Sequence, residues 1–185
     1  MSDQSTASQA AAGAAVEFMR FVPPDAQALS QAITTHSERH AEALRGDDAL
    51  AQVDASADLA GLLTQAGQQA QALTVLAPHQ AQAEALAAHE PAAWFWTAQA
   101  TALQYLGRRD EAEPVFAKAV AVARAGAWSR IEAMALHHWG RSLVEQGRVH
   151  EARERFSQAL ALREALGEPS QASSRRALEM LALRA

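Results

Sequence analysis

The chain has 185 residues, about half of them apolar, and only 5% are aromatic. This balance favours helices, leaves little material for strands, and suffices for one buried core. A formal charge of −5, a single lysine (Lys118) and the absence of cysteine argue against nucleic-acid binding, a disulfide framework, a thiolate metal site and a cysteine nucleophile.

Residues 1–22 form an N-terminal segment whose first part, to about residue 10, is expected to be frayed. Its Ala-rich stretch follows no basic region, so it does not read as a signal peptide. No run approaches the roughly 18 apolar residues of a membrane span, and a soluble cytoplasmic protein is expected. Within the segment, AAVEFMRFVPP gathers Val16, Phe18, Met19, Phe21 and Val22 ahead of Pro23 and Pro24. Either a short helix docks on the cap, or residues 16–22 join two protomers as a homodimer or occupy a groove.

Residues 23–185 read as a single domain that begins with a capping helix over 24–45, started by Pro24 and Asp25 and closed by Gly46. Three units follow, over about 50–89, 90–129 and 130–169. The phrase GRRDEAEPVFAKAV at Gly107 is echoed by GRVHEARERFSQAL at Gly147, and Gly67 stands the same forty residues before Gly107. Ala72, Ala112 and Ala152 keep that interval, as do Leu76, Phe116 and Phe156. Each glycine is flanked by apolar residues at helical spacing, so each unit is a helix, a glycine turn at positive φ, and a second helix that approaches closely over the alanine.

Pro78 falls inside the second helix of the first unit and predicts a break there. A last helix over 170–185 places Arg176 and Glu179 outward and keeps Leu178, Met180 and Leu181 apolar, as a cap would.

With Leu136, Trp139, Gly140, Leu143, Ala152 and Phe156 in the third unit, and Trp96, Ala100, Leu103, Ala112 and Phe116 in the second, the chain resembles the tetratricopeptide repeat family. The first unit keeps Leu59, Ala60, Leu63, Ala72 and Leu76. The forty-residue period resembles the family's longer-helix variants. The resemblance implies an all-α, right-handed α-solenoid with N- and C-terminal caps, in which the first helices line a concave groove.

Counted along the repeats, the groove slots fall on Asp54, Asp58, Thr64 and Gln65, then on Trp94, Thr97, Thr101, Gln104 and Tyr105, then on Met134, His137, His138, Arg141 and Glu145. Trp94, Tyr105, His137 and Arg141 are the expected anchors, since large aromatics and arginine dominate protein interfaces. Trp94 could equally serve packing. Trp96, Trp139, Phe116 and Phe156 are expected in the core, and Trp128 as a wedge between repeats. Ala57, Gly61, Thr97 and Thr101 stand where chaperone-binding relatives carry a carboxylate clamp, so an EEVD-like tail is not implied.

A catalytic reading starts from histidine. His36 and His40 share a helix face and could serve a metal-dependent enzyme with Glu38. HSERH nevertheless lacks the glutamate placement of the zinc hydrolases, and packing is the expectation. His137 and His138 diverge by about 100° on a helix. The expected function is therefore non-catalytic binding of a protein or peptide in the groove, without metal or cofactor. Alternatives are a secretion-type chaperone holding a client, and a sensor of peptides or small molecules.

Overall fold

The computed structural model describes residues 17–183, which are all-α; no strand occurs among the described residues. The part of the N-terminal segment expected to fray lies outside them. Helix α1 spans Ala26–Ala43 and α2 Ala49–Gln65, each started by an aspartate, Asp25 or Asp48, whose carboxylate accepts two backbone N–H bonds of the first turn. Helices α3 (Gln69–Leu76) and α4 (Gln80–Ala85) are separated by a 3₁₀ turn over Ala77–His79. The break expected at Pro78 is present. Then come α5 (Glu90–Tyr105), α6 (Arg109–Ala125), α7 (Ser129–Glu145), α8 (Val149–Ala165) and α9 (Gln171–Ala182).

The elements pack as a helical repeat. Each hairpin closes on itself, α2 on α3, α5 on α6 and α7 on α8. The first helices α2, α5 and α7 stand side by side as an inner row, while α3 and α6 also touch the first helix of the next hairpin. Helix α1 covers α2 at one end and α9 covers α8 at the other. On α9, Ala177 and Leu181 are buried while Arg176 and Glu179 are exposed. No described helix is long and apolar enough to cross a membrane.

The hairpin turns explain the repeated glycines. Gly67, Gly107 and Gly147 hold φ of 78°, 79° and 76°, and the next residue's N–H reaches back to Leu63, Leu103 or Leu143 in a Schellman-type closure. Ala72, Ala112 and Ala152, five residues on, are completely buried. The α6–α7 turn differs: Ala127 takes the positive φ, at 56°, and the Trp128 ring lies over Gly126, where an added Cβ would come within 2.5 Å of it. Trp128 thus folds back on its own turn, which joins the second repeat to the third.

Phe95, Trp96, Leu136, Phe116 and Phe156 fill the core, with the Trp139 ring packed against all three of its clusters. Trp96 and Trp139 are each covered by a cation, Lys118 at 3.6 Å and the Arg155 guanidinium at 4.2 Å from the ring centroid. At Gly140 an added Cβ would lie 2.8 Å from the fully buried Phe156 ring. Gly140→Ala is accordingly expected to cost about 1–3 kcal/mol through overpacking, measured by urea denaturation.

The N-terminal segment departs from expectation. Residues 17–22 form no helix. Instead Phe18, 1% exposed, enters a socket formed by Leu143, Val144, Phe156, Ala177 and Leu181 on α7, α8 and α9. The socket offers an aromatic partner, with the Phe18 and Phe156 centroids 6.1 Å apart, and polar partners for the adjoining backbone. Met19, at φ 48°, turns the chain. From there it runs back across the inner row to α1. Phe21 and Val22 remain exposed.

Candidate functional site

Nine of the expected groove residues meet at one cavity. Side chains about 100° apart per residue place positions 94, 98, 101 and 105 along one face of α5, and 134, 138 and 141 along one face of α7. Trp94, Thr101 and Tyr105, with Met134, His137, His138 and Arg141, line a cleft of about 280 Å³. Gly61, Thr64 and Gln65 of α2 close one side, and Phe21 of the docked segment another. Arg163, Ser170 and Ser173, from the α8–α9 end, complete the wall.

Thr97, Gln104 and Glu145 do not line the cleft. Thr97 and Gln104 sit roughly 60° and 80° around α5 from Trp94. Both are completely buried, with the Thr97 hydroxyl donating to the Ala93 carbonyl and the Gln104 amide making no hydrogen bond among the described residues. Glu145 is withdrawn for another reason. Its fully buried carboxylate accepts from Arg20 Nε at 2.9 Å and Arg109 Nε at 3.0 Å, and lies 3.4 Å from the Phe18 N–H.

Trp94 combines the two roles considered for it. Its indole N–H donates to Asp58 at 2.9 Å and its ring lies over Gly61, where a Cβ would approach to 3.0 Å, yet it still borders the cleft. Asp54 and Asp58 are both engaged by Arg39, so this acidic strip is partly offset within the chain.

Arg141 is 4% exposed. One guanidinium N–H donates to the Met19 carbonyl at 3.0 Å and another to His138 Nδ1 at 2.7 Å. Because arginine only donates, Nδ1 of His138 must accept, and its proton sits on Nε2. Burial, then the nearby Arg141 charge, holds the His138 pKa well below the ordinary value. The guanidinium of Arg141 also lies 5.4 Å from the Tyr105 ring centroid, and that of Arg20 lies 4.7 Å from it.

His137 has its own polar chain. Arg163 donates to Ser174 Oγ at 2.8 Å; that hydroxyl lies 3.2 Å from His137 Nδ1, and His137 Nε2 lies 3.3 Å from Ser173 Oγ. Burial first, then Arg163 and Arg141, pushes the His137 pKa down to about 2, so the ring is neutral at physiological pH. Burial likewise lowers the pKa of both arginines.

Arg163 was not among the residues expected from the repeat pattern, because it belongs to a second helix. A signal was nonetheless present. The forty-residue register sets Arg163 opposite Ala83 and Ala123, both completely buried, so a charge stands where the other units bury a methyl group.

His36 and His40 do not come together on a common partner. His40 Nε2 is 3.5 Å from Nε2 of His79, while His36 faces Asp58 at 3.8 Å. Among the described residues no group of three or more His, Cys, Asp or Glu side chains is gathered as a metal site would require. Comparison with protein-family models and with curated protein sequences yields no match for this chain, so the reading of the site rests on its own geometry.

Proposed function

We propose that the chain is a non-catalytic, cytoplasmic recognition scaffold of tetratricopeptide type. In this reading its three long repeats wind as a right-handed solenoid between capping helices, and its inner face takes an extended segment of a protein partner. One observation carries the reading: the inner face already holds such a segment, the chain's own residues 17–21. Its backbone is met by Glu145 at the Phe18 N–H, by Arg141 at the Met19 carbonyl and by the Tyr105 hydroxyl at the Phe21 N–H. Main-chain recognition with one buried aromatic anchor is a general way to hold an extended peptide. The stack supplies these groups already ordered, which spares the entropy of arranging them on binding.

The test unseats the internal segment and offers it back. In full-length Phe18→Asp, a fluorescent peptide of residues 14–24 is expected to bind, while wild type, with its site occupied, binds it weakly. Adding Arg141→Ala should weaken the interaction by about tenfold or more, the scale of one hydrogen bond from a charged group. A folded Phe18→Asp protein that ignores the peptide would remove the basis of the proposal. Size-exclusion chromatography of wild type distinguishes docking within one chain from exchange between two: a dimer lost in Phe18→Asp indicates exchange.

A further inference from the structure

The cleft beside the docked segment has a one-sided chemistry. It is lined by two arginines, Arg141 and Arg163, and by no aspartate or glutamate. These two residues are 4% and 6% exposed, and among the described residues neither makes a salt bridge. The nearest carboxylates are committed elsewhere: Glu145 to Arg20 and Arg109, and Glu168 to Arg130 at 2.7 Å. A buried cation without a paired anion is costly, and nature usually pairs it or gives it a ligand.

Of the remaining polar groups, the Thr64, Thr101 and Ser170 hydroxyls donate within the fold, whereas His138, Ser173 and Tyr105 each retain a donor. His138 turns its Nδ1 to Arg141 and keeps a proton on Nε2, for which no partner is present among the described residues. If Ser174 accepts from Arg163 and donates to His137 Nδ1, then His137 Nε2 donates to Ser173, leaving the Ser173 hydroxyl proton free to point elsewhere. Tyr105 accepts from the Phe21 N–H and so retains its own O–H for donation. Opposite these donors, Trp94, Met134, Ala98 and Phe21 give apolar wall. About 280 Å³ is the room of a small molecule, below the usual range for a large drug-like ligand.

We infer that this cleft binds a small organic anion, its carboxylate or phosphate held by Arg141, Arg163, Ser173 and His138 and its apolar body set against Trp94 and Met134. The inference rests on the reading above only in taking the inner face as a binding surface, and it concerns the space left while residues 17–21 stay docked.

The experiment uses the full wild-type chain with three probes of similar shape: 3-phenylpropionate, phenyl phosphate and the neutral 3-phenylpropanamide. Calorimetry and thermal denaturation are expected to show binding of at least one anion and not of the amide, with a melting temperature raised by roughly 3–6 °C at about ten times the dissociation constant. Which anion binds more tightly assigns the head group as carboxylate or phosphate. Arg163→Ala introduces the residue that the other two units carry, so the protein should still fold; anion affinity should fall tenfold or more, and Arg163→Lys should restore part of it. Equal response to anions and amide, no response to any probe, or undiminished binding in folded Arg163→Ala would overturn the inference. Because the peptide test uses Phe18→Asp and a different probe, loss of anion binding with retained peptide binding overturns only this inference, and the reverse pattern only the peptide reading.

Discussion

Glu145→Leu should destabilise the protein by about 3–5 kcal/mol, the scale expected when one partner of a buried ion-pair network is removed. The Glu145 side chain is 0% exposed, while those of Arg20 and Arg109 are 15% and 16% exposed, and all three meet within 3.0 Å. Leucine approximates the volume of glutamate but leaves Arg109, with Arg141 nearby, without its carboxylate, and leaves Arg20 only the exposed Glu17 at 2.9 Å. Loss of the carboxylate also removes the acceptor that Phe18 N–H and Arg20 share, so residues 17–21 should loosen first. Urea denaturation measures the first effect, and amide exchange at Phe18 the second. Glu145→Gln retains the shape and separates charge from packing: it should recover little of the lost stability. A denaturation midpoint equal to wild type in Glu145→Leu would mean that these arginines are not held by this carboxylate.

Mild acid should weaken the fold through His137. Its folded pKa of about 2 lies far below the unfolded value of about 6.5, so the unfolded chain takes up the proton first as pH falls. A depressed folded pKa contributes stability that is present above about pH 6.5 and lost below it, at about 1.4 kcal/mol per pH unit, or about 2 kcal/mol by pH 5. His138 acts in the same direction. The groups facing the pair are Ser173, Ser174, Arg163 and Phe156 at His137, and Arg141 and Thr101 at His138. None is acidic, so nothing there would welcome the imidazolium. Denaturation of wild type and His137→Gln at pH 7, 6 and 5 gives the check: the variant should show a shallower decline with acid, and parallel slopes would refute the assignment.

The architecture was legible because its causes are local and recur. A glycine that must take positive φ and an alanine that must admit a neighbouring helix leave marks in every unit, and Pro78 breaks its helix by removing one donor, although Pro114 is accommodated within α6. The cleft was legible to the extent that helical phase decides it. Trp94, Thr101, Tyr105, Met134 and Arg141 face the same space because their spacing turns them the same way, whereas Thr97 and Gln104 are rotated far enough to be buried against neighbouring helices. Glu145 has the right phase but the wrong company: Arg20 and Arg109, 125 and 36 residues away in the chain, claim it. Arg163 required comparison across the units and not along one of them. The socket for Phe18 had no local sign at all, being assembled from α7, α8 and α9.

That socket has a consequence for the order of folding. Stacked hairpins ordinarily assemble by adding neighbour to neighbour, each short-range step independent of the far end. Here Phe18 reaches Phe156 across most of the chain, and the site that receives it exists only after the last hairpin and α9 are in place. Closure of the clasp is therefore a late event that carries the entropy of a very long loop. Once shut, it joins the beginning of the stack to its end, and an otherwise modular array gains the means to unfold as one cooperative body.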